Sequence, residues 1–128
     1  MYKLTPFVLV ALLIFSSCGD KNSCHLSGNL DNIANNTYLY LIDAESFELV
    51  DSILVKDGRF TYQLSLMYPK FYLLKKKIDK LEFRDRKFVW LEPSEIRITG
   101  DFEFMKNLVV EGSNSHQEYQ QYNLMVNS

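Results

Sequence analysis

The most chemically reactive side chains of this sequence are those of two cysteines and two histidines. Cys24 is followed directly by His25, a pairing of residue types that could supply a nucleophile and its base. Successive residues of a β-strand point to opposite faces, so a strand at this position keeps the two side chains apart. We therefore interpret Cys24 as a small apolar core residue. His116 is distant from His25 in sequence, and neither lies in a C-x₂-C or H-x₃-H arrangement, which argues against a metal site.

Short motifs typical of catalytic and cofactor sites are missing from the sequence. It has no C-x-x-C, no G-x-S-x-G, no P-loop and no dinucleotide fingerprint. Four acids fall close together without the glycine-spaced pattern of an EF-hand, and such acids are ordinary in loops. They are Glu92, Glu95, Asp101 and Glu103. We predict no enzymatic activity, no cofactor and no metal.

A basic run covers residues 75–87, KKKIDKLEFRDRK, with seven basic and three acidic residues. One hypothesis is a binding site for an anionic partner such as a phospholipid headgroup, a polysaccharide or an acidic protein. The alternative is a solvated hairpin whose lysines discourage edge-to-edge aggregation. The candidate anion-binding residues are Lys75, Lys76, Lys77, Lys80, Arg84, Arg86 and Lys87. The net charge of the whole chain is -2, which argues against nucleic-acid binding.

Five tyrosines are a further candidate for binding. Tyr38, Tyr40, Tyr62, Tyr68 and Tyr72 could line a ligand groove. Tyrosines in strands are more commonly core residues and cross-strand partners, and we favour that interpretation.

The N-terminus has the pattern of a secretory signal. Lys3 precedes an apolar run at residues 7–15, FVLVALLIF, which is too short to span a membrane. Small serines and then Cys18 follow, as in a bacterial lipoprotein signal, although Phe15 occupies a position that usually holds leucine. We predict that residues 1–17 are cleaved as a lipoprotein signal peptide and that residues 18–23 form a polar tether. The alternatives are an ordinary secretory signal cut near Ser17 and an uncleaved anchor.

Acylation of Cys18 would determine where the protein is found. Each buried acyl CH₂ contributes about 0.8 kcal/mol, so several acyl chains would fix the protein to a membrane almost permanently. With Cys18 acylated, only Cys24 remains, and a single thiol cannot form an internal disulfide. We expect a lipid-anchored protein of the bacterial cell envelope, on the periplasmic side or the outer-membrane surface.

Strand patterns dominate the rest of the chain. Alternating or wholly apolar segments separated by turn residues predict eight short strands, and no βαβ rhythm is visible. These strands are expected at residues 24–30, 37–43, 51–56, 59–66, 71–78, 87–92, 95–100 and 107–111. With 47% hydrophobic residues, the sequence can form a packed core. We predict one all-β domain at residues 24–112, an antiparallel sandwich or barrel.

The dipeptide Asp57-Gly58 predicts a hairpin, because glycine accepts the positive φ of a tight turn. A two-residue loop would set Lys56 opposite Arg59, and like charges across a ladder repel. A three-residue loop with a glycine bulge would avoid this repulsion. We favour the bulged loop.

After Gly112 the pattern becomes helical, and we predict a C-terminal helix at residues 113–128. Asn114 or Ser115 could cap it, and Glu118 stands at capping-box spacing from Ser115. One face would carry Tyr119, Tyr122 and Val126. A helix of about three turns is marginal alone in water, so this face needs a surface to pack on.

Taken in order, several short pieces of residues 24–123 resemble an uncharacterised domain family common in Bacteroidota. The matching pieces are Gly28, residues 38–41, 51–52 and 58–62, Pro69 with Tyr72, and residues 90–92, 96–101 and 110–113. Members of that family typically follow a lipoprotein signal and precede a thioredoxin-like domain of the thiol-disulfide interchange (AhpC/TSA) type. The resemblance implies a place in the envelope and a thioredoxin-like partner.

The chain ends at Ser128 without a C-x-x-C, so the redox function is not carried over to it. We expect a non-enzymatic accessory or interaction domain. One alternative is the N-terminal part of a truncated thiol-disulfide oxidoreductase. Another is an anionic-ligand-binding module that uses the hairpin at residues 75–87.

Overall fold

Period-two alternation places one side of each strand in a common core, and the described part of the chain is built mainly in this way. The computed structural model describes residues 22–77 and 85–126. The strands are β1 (Ser23–Asp31), β2 (Thr37–Asp43), β3 (Leu49–Val55), β4 (Arg59–Ser65), β5 (Lys70–Lys75), β6 (Arg86–Leu91), β7 (Glu95–Asp101) and β8 (Val109–Glu111). A 3₁₀ helix (Phe102–Asn107) separates β7 from β8, and the α-helix α1 (Asn114–Val126) follows β8. The predicted order of eight strands and a C-terminal helix is confirmed.

The strands form two four-stranded sheets that face each other across the core. Sheet A has the order β4-β1-β7-β8, and sheet B has the order β3-β2-β5-β6. The inner faces contribute Leu26, Leu30, Leu39, Leu41, Ile53, Val55, Phe60, Tyr72, Leu74, Val89, Leu91, Ile96 and Ile98 to one buried cluster. The all-β class is therefore confirmed in its sandwich-like form, since the described sheets do not close into a barrel.

One pair of strands departs from the predicted antiparallel arrangement. β1 runs parallel to β7, with His25 opposite Glu95 and Asp31 opposite Asp101. The other described strand pairs are antiparallel. A turn signal between two strands that are consecutive in sequence indicates only that the chain reverses direction there. β1 pairs with strands far along the chain, whose directions depend on every turn in between.

The Asp57-Gly58 turn has the two-residue loop, and the preference for a bulged loop was wrong. Asp57 and Gly58 have φ values of 52° and 76°, and two backbone hydrogen bonds of 3.0 and 2.9 Å join Lys56 to Arg59. Both charged side chains are exposed, and repulsion between exposed charges in water is small.

Beyond that bridge the two strands separate, so the predicted core hairpin is only a turn. β3 pairs with β2 in sheet B, and β4 pairs with β1 in sheet A. The turn is held instead by β1 and by the β1–β2 loop. Leu30 N–H donates to Gly58 O at 2.7 Å, and Asp57 N–H donates to Asn35 Oδ1 at 2.9 Å.

The strand registers define two ends of the sandwich. The N-terminal end holds Asn22, the β2–β3 loop (residues 44–48), the β4–β5 loop (66–69) and the β6–β7 turn (92–94). The opposite end holds the β1–β2 loop (residues 32–36), the turn at 57–58 and the 3₁₀ helix. The two ends differ in chemistry, which matters for the surfaces described below.

Candidate functional site

Cys24 and His25 lie on opposite faces of β1, as predicted. The Cys24 side chain is fully buried in the core, whereas His25 is exposed on the outer face of sheet A. Burial raises the pKa of the Cys24 thiol to about 11, so at neutral pH it stays protonated and a poor nucleophile. Its interpretation as a core residue is confirmed. Cys18, the predicted acylation site, lies outside the described residues together with the predicted signal at residues 1–17.

Three consecutive lysines of the basic run lie at the end of β5, and their side chains are in different environments. Lys75 is only 5% exposed. Lys76 Nζ lies 3.4 Å from Asp85 Oδ1 and 4.7 Å from the ring centroid of Phe102, so its charge is already matched within the protein. Lys77 is exposed.

The basic residues of β6 are also engaged. The Arg86 guanidinium lies over the Phe88 ring, 5.2 Å from its centroid. Lys87 Nζ donates to Lys106 O at 3.0 Å, and burial lowers the pKa of Lys87. Lys80 and Arg84 lie outside the described residues. Among the five described candidates only Lys77 is exposed, so this part of the hairpin is not a continuous basic surface.

Two of the four clustered acids cap the starts of helices. Asp101 Oδ1 accepts from Glu103 N–H at 2.9 Å and so caps the 3₁₀ helix, while its Oδ2 accepts from Asn32 Nδ2 at 2.8 Å. Glu92 Oε1 accepts from Ser115 N–H at 3.0 Å. Within residues 22–77 and 85–126, no group of three His, Cys, Asp or Glu is placed to hold a metal ion.

The five tyrosines do not share one surface. Tyr72 is buried, and Tyr62 reaches across the gap between the sheets, where its hydroxyl donates to Asp51 Oδ2 at 3.0 Å. Burial, with this hydrogen bond, raises the pKa of Tyr62 to about 12. Tyr38 and Tyr40 alternate with the buried Leu39 and Leu41 and so face outward from sheet B. Tyr68 lies in the β4–β5 loop and is exposed.

A shallow groove crosses the outer face of sheet A. Its polar lining consists of His25, Ser27, Thr61, Gln63 and Glu95. These side chains alternate with buried core residues along β1, β4 and β7, which explains why the face is polar. It is open to solvent and offers hydrogen bonds to a passing ligand, without a buried polar group that would fix one in place.

The start of α1 is a feature that the sequence interpretation missed. Ser113 is the N-cap, because its Oγ accepts from His116 N–H at 3.1 Å. The sequence prediction of Asn114 or Ser115 as the cap was therefore wrong by one or two residues. Ser113 Oγ also lies 2.8 Å from Trp90 O, so a tertiary acceptor decides which serine caps the helix.

His116 completes the contact between α1 and sheet B. Trp90 N–H donates to His116 Nδ1 at 3.2 Å. Trp90 belongs to β6, an edge strand, so Ser113 and His116 occupy backbone groups that would otherwise be open to pairing with another chain. Tyr119 packs edge-on against Phe71, with ring centroids 5.3 Å apart. Of the predicted apolar face only Tyr119 is partly covered, since Tyr122 and Val126 are 64% and 61% exposed.

The His116 imidazole is neutral at physiological pH. Burial, with a smaller effect from the charge of Lys87, lowers its pKa to about 4. Because Nδ1 accepts a hydrogen bond, the proton resides on Nε2, which has no hydrogen-bond partner among the described residues. The sequence carries no signal for this role, since a lone histidine on a helix is compatible with many environments.

These observations define a two-sheet β domain in which the Cys24 thiol and the His116 imidazole are buried and serve the fold. The chain belongs to the family described as "Domain of unknown function (DUF4369)", which matches residues 24–119. Comparison with curated proteins gives no match. In the part of the chain that the structure describes, no helix is both long and apolar enough to cross a membrane.

Proposed function

We propose that this protein is a lipid-anchored, non-enzymatic domain of the bacterial cell envelope that acts by holding or recognising a protein partner. The observation that carries the proposal is the order of residues at the N-terminus. Lys3, the apolar run at residues 7–15 and Cys18 come directly before a domain whose first strand begins at Ser23. A folded domain that starts this close to an acylated cysteine would stay next to the membrane.

The geometry of the domain supports an interaction role. Cys24 is buried as a protonated thiol, and the carboxylates of Glu92 and Asp101 cap helices. The hydroxyl of Ser113 and the imidazole of His116 cover a strand edge. Each of these groups is already occupied by a structural contact, which leaves the exposed faces and loops as the parts available to a partner.

The partner that we propose is a thioredoxin-like protein. This part of the proposal rests on the resemblance of residues 24–123 to Bacteroidota domains that precede thioredoxin-like domains. Reading the coding sequence beyond codon 128 tests the alternative of a truncated oxidoreductase. An in-frame thioredoxin-like segment with a C-x-x-C would favour that alternative over a free-standing domain.

Intact mass of the protein extracted from membranes tests the anchor. We expect a chain that begins at Cys18 and carries the added mass of acyl groups. Cys18→Ala should abolish both cleavage at this site and acylation. Cys24→Ala is the matched control, because its buried thiol is not the modified one, and it should keep the acylated mass. A native product that begins at Met1, or one that begins at residue 18 without lipid, would refute the proposal.

A further inference from the structure

Two loops at the N-terminal end of the sandwich expose large apolar side chains. Phe47 in the β2–β3 loop is 69% exposed, and Met67 and Tyr68 in the β4–β5 loop are 77% and 71% exposed. A single exposed apolar residue needs no explanation, but exposed apolar residues grouped at one end of a domain indicate a contact. The opposite end exposes Phe104 of the 3₁₀ helix, but most of its exposed side chains are polar, among them Asn32, Asn35, Asn36, Lys56 and Asp57.

The two loops are joined and held in shape by one aspartate. Lys70, the first residue of β5, follows the β4–β5 loop directly and places Nζ 2.8 Å from Asp43 Oδ2. Asp43 Oδ1 accepts from Glu45 N–H at 2.8 Å and from Ser46 N–H at 3.2 Å, and Asp43 O accepts from Phe47 N–H at 2.8 Å. These bonds hold Phe47 at a φ of 60°, a conformation that a bulky residue rarely adopts. The loop therefore presents an aromatic ring to solvent from a fixed support.

The tether of the protein leaves from this same end. Leu66 N–H donates to Asn22 O at 2.8 Å, so the β4–β5 loop begins beside the residue that leads into β1. Only residues 19–22 separate Cys18 from Ser23, and the five Cα–Cα steps between them span at most about 18 Å. Acyl chains on Cys18 would hold Met67 and Tyr68, which follow Leu66 directly, close to the bilayer surface.

We propose that Phe47, Met67 and Tyr68 form a second contact with the lipid bilayer, inserting into its interface beside the acylated cysteine. This inference rests on the proposed anchor at Cys18. Aromatic residues with one polar tip favour the membrane interface, where the ring is buried and the hydroxyl stays hydrated. Lys70 is paired with Asp43, and Glu45 and Glu48 are acidic, so apolar burial rather than attraction to anionic headgroups drives the contact.

Such a second contact would orient the domain. With Asn22 near the membrane, the turn at residues 57–58 and the exposed Lys77 would lie at the far end of the sandwich, away from the bilayer. A lipid anchor alone leaves the domain free to rotate about its tether. Two contacts instead present the opposite end to a partner in the adjacent aqueous compartment.

Depth-dependent fluorescence quenching tests this inference on the full chain purified from membranes and reconstituted in phosphatidylcholine vesicles with brominated acyl chains. Three variants each add one tryptophan to the background of Trp90: Phe47→Trp, Tyr68→Trp and Phe104→Trp. Phe104 is the matched control, since it is an exposed aromatic residue of the 3₁₀ helix at the opposite end. We expect the added emission of Phe47→Trp and Tyr68→Trp to be quenched and shifted to the blue, in low and in high salt. The added emission of Phe104→Trp should be neither quenched by the brominated acyl chains nor shifted to the blue.

Each of the other outcomes contradicts the inference, and the outcomes distinguish a failure of the second contact from a failure of the lipid anchor. Acylated, vesicle-bound protein with no quenching in Tyr68→Trp overturns the second contact and leaves the anchor intact. Quenching in all three variants means that the domain lies flat, which also refutes end-on contact. Shielding of Tyr68→Trp from a soluble quencher without quenching by bromine identifies a protein as the occupant. Protein without acyl groups that does not float with vesicles overturns the proposed function and this inference together.

Discussion

At the scale of single residues, Gly28 has one of the most crowded positions in the domain. It lies opposite Phe60 in the β1–β4 ladder, and a Cβ at this position would collide with the Phe60 ring and lie 2.8 Å from Ile98 O. Overpacking of this kind costs about 1–3 kcal/mol. We therefore predict that Gly28→Ala lowers the free energy of unfolding by this amount, measured by urea denaturation.

A double-mutant cycle identifies the cause of that loss. Phe60→Leu shortens the side chain that the new Cβ would meet, so Gly28→Ala should cost less in the Phe60→Leu background than in the wild type. An equal or larger cost in that background would show that the contact with Phe60 is not what excludes a side chain at residue 28.

His116 makes stability depend on pH. Its pKa is about 4 in the folded protein, below the ordinary value of about 6.5, so between these values the unfolded chain binds more protons than the folded one. Stability is therefore fully present above about pH 6.5 and falls as the pH decreases toward 4, by up to about 3 kcal/mol. Thermal or urea unfolding across this pH range measures the slope.

Two variants assign that slope to one side chain. His116→Gln keeps an acceptor that can reach Trp90 N–H but does not titrate, so its stability should vary less with pH over the same range. His25→Gln, which removes the exposed histidine of β1, should retain the wild-type slope. If both variants behave alike, burial of His116 is not the origin of the effect.

At the scale of elements, the start of α1 depends on a serine that the local sequence does not single out. Ser113→Ala removes the N-cap and the bond to Trp90 O, and we predict a loss of about 1–2 kcal/mol in unfolding free energy. Ser115→Ala is the matched control because its contact with Glu92 uses the backbone N–H, which the substitution keeps. A larger loss for Ser115→Ala would show that Ser115, the cap predicted from the capping-box spacing, is the residue that caps the helix.

The same elements explain what local patterns can predict. Alternating or wholly apolar segments bounded by turn residues located the eight described strands to within a few residues, because such patterns are local to each strand. The pairing of β3 and β4 was beyond such patterns. An Asp-Gly turn reverses the chain, but whether the flanking strands pair with each other or with β2 and β1 depends on which partners bury Val55 and Phe60 better.

At the scale of the whole molecule, Cys24 reports on the integrity of the core. Its thiol is fully buried between the sheets, and the described strands on both sides must separate before a reagent can reach it. We predict that a thiol reagent labels Cys24 only through global unfolding, so that the labelling rate rises in parallel with the population unfolded by urea. Labelling that is fast under native conditions would mean that the N-terminal end of β1 opens locally.

The position of the basic run in the whole sandwich bears on the hypothesis that it binds anions. Among its described residues, the exposed Lys77 lies at the end of the sandwich opposite to Asn22, and Lys76 is paired with Asp85. Lys77→Gln is therefore a clean probe of anion binding. Acyl chains would hold the protein on vesicles whatever its charge, so the measurement uses a soluble anionic polysaccharide in low salt, and we predict unchanged binding. A clear loss of binding in this variant would support the anionic-ligand hypothesis for residues 75–87.

The sequence by itself determined the strand segments, the presence of a C-terminal helix, the burial of Cys24 and the lipoprotein-type pattern that ends at Cys18. Each of these follows from residues close together in the chain, through alternation, turn chemistry or the length of an apolar run. Only the tertiary structure decided the division of β3 and β4 between two sheets, the parallel pairing of β1 with β7, and the cap at Ser113. It also brought Phe47, Met67 and Tyr68 to the end of the sandwich that holds Asn22. These features depend on contacts between residues 23 to 70 positions apart, which form only when the whole core is assembled.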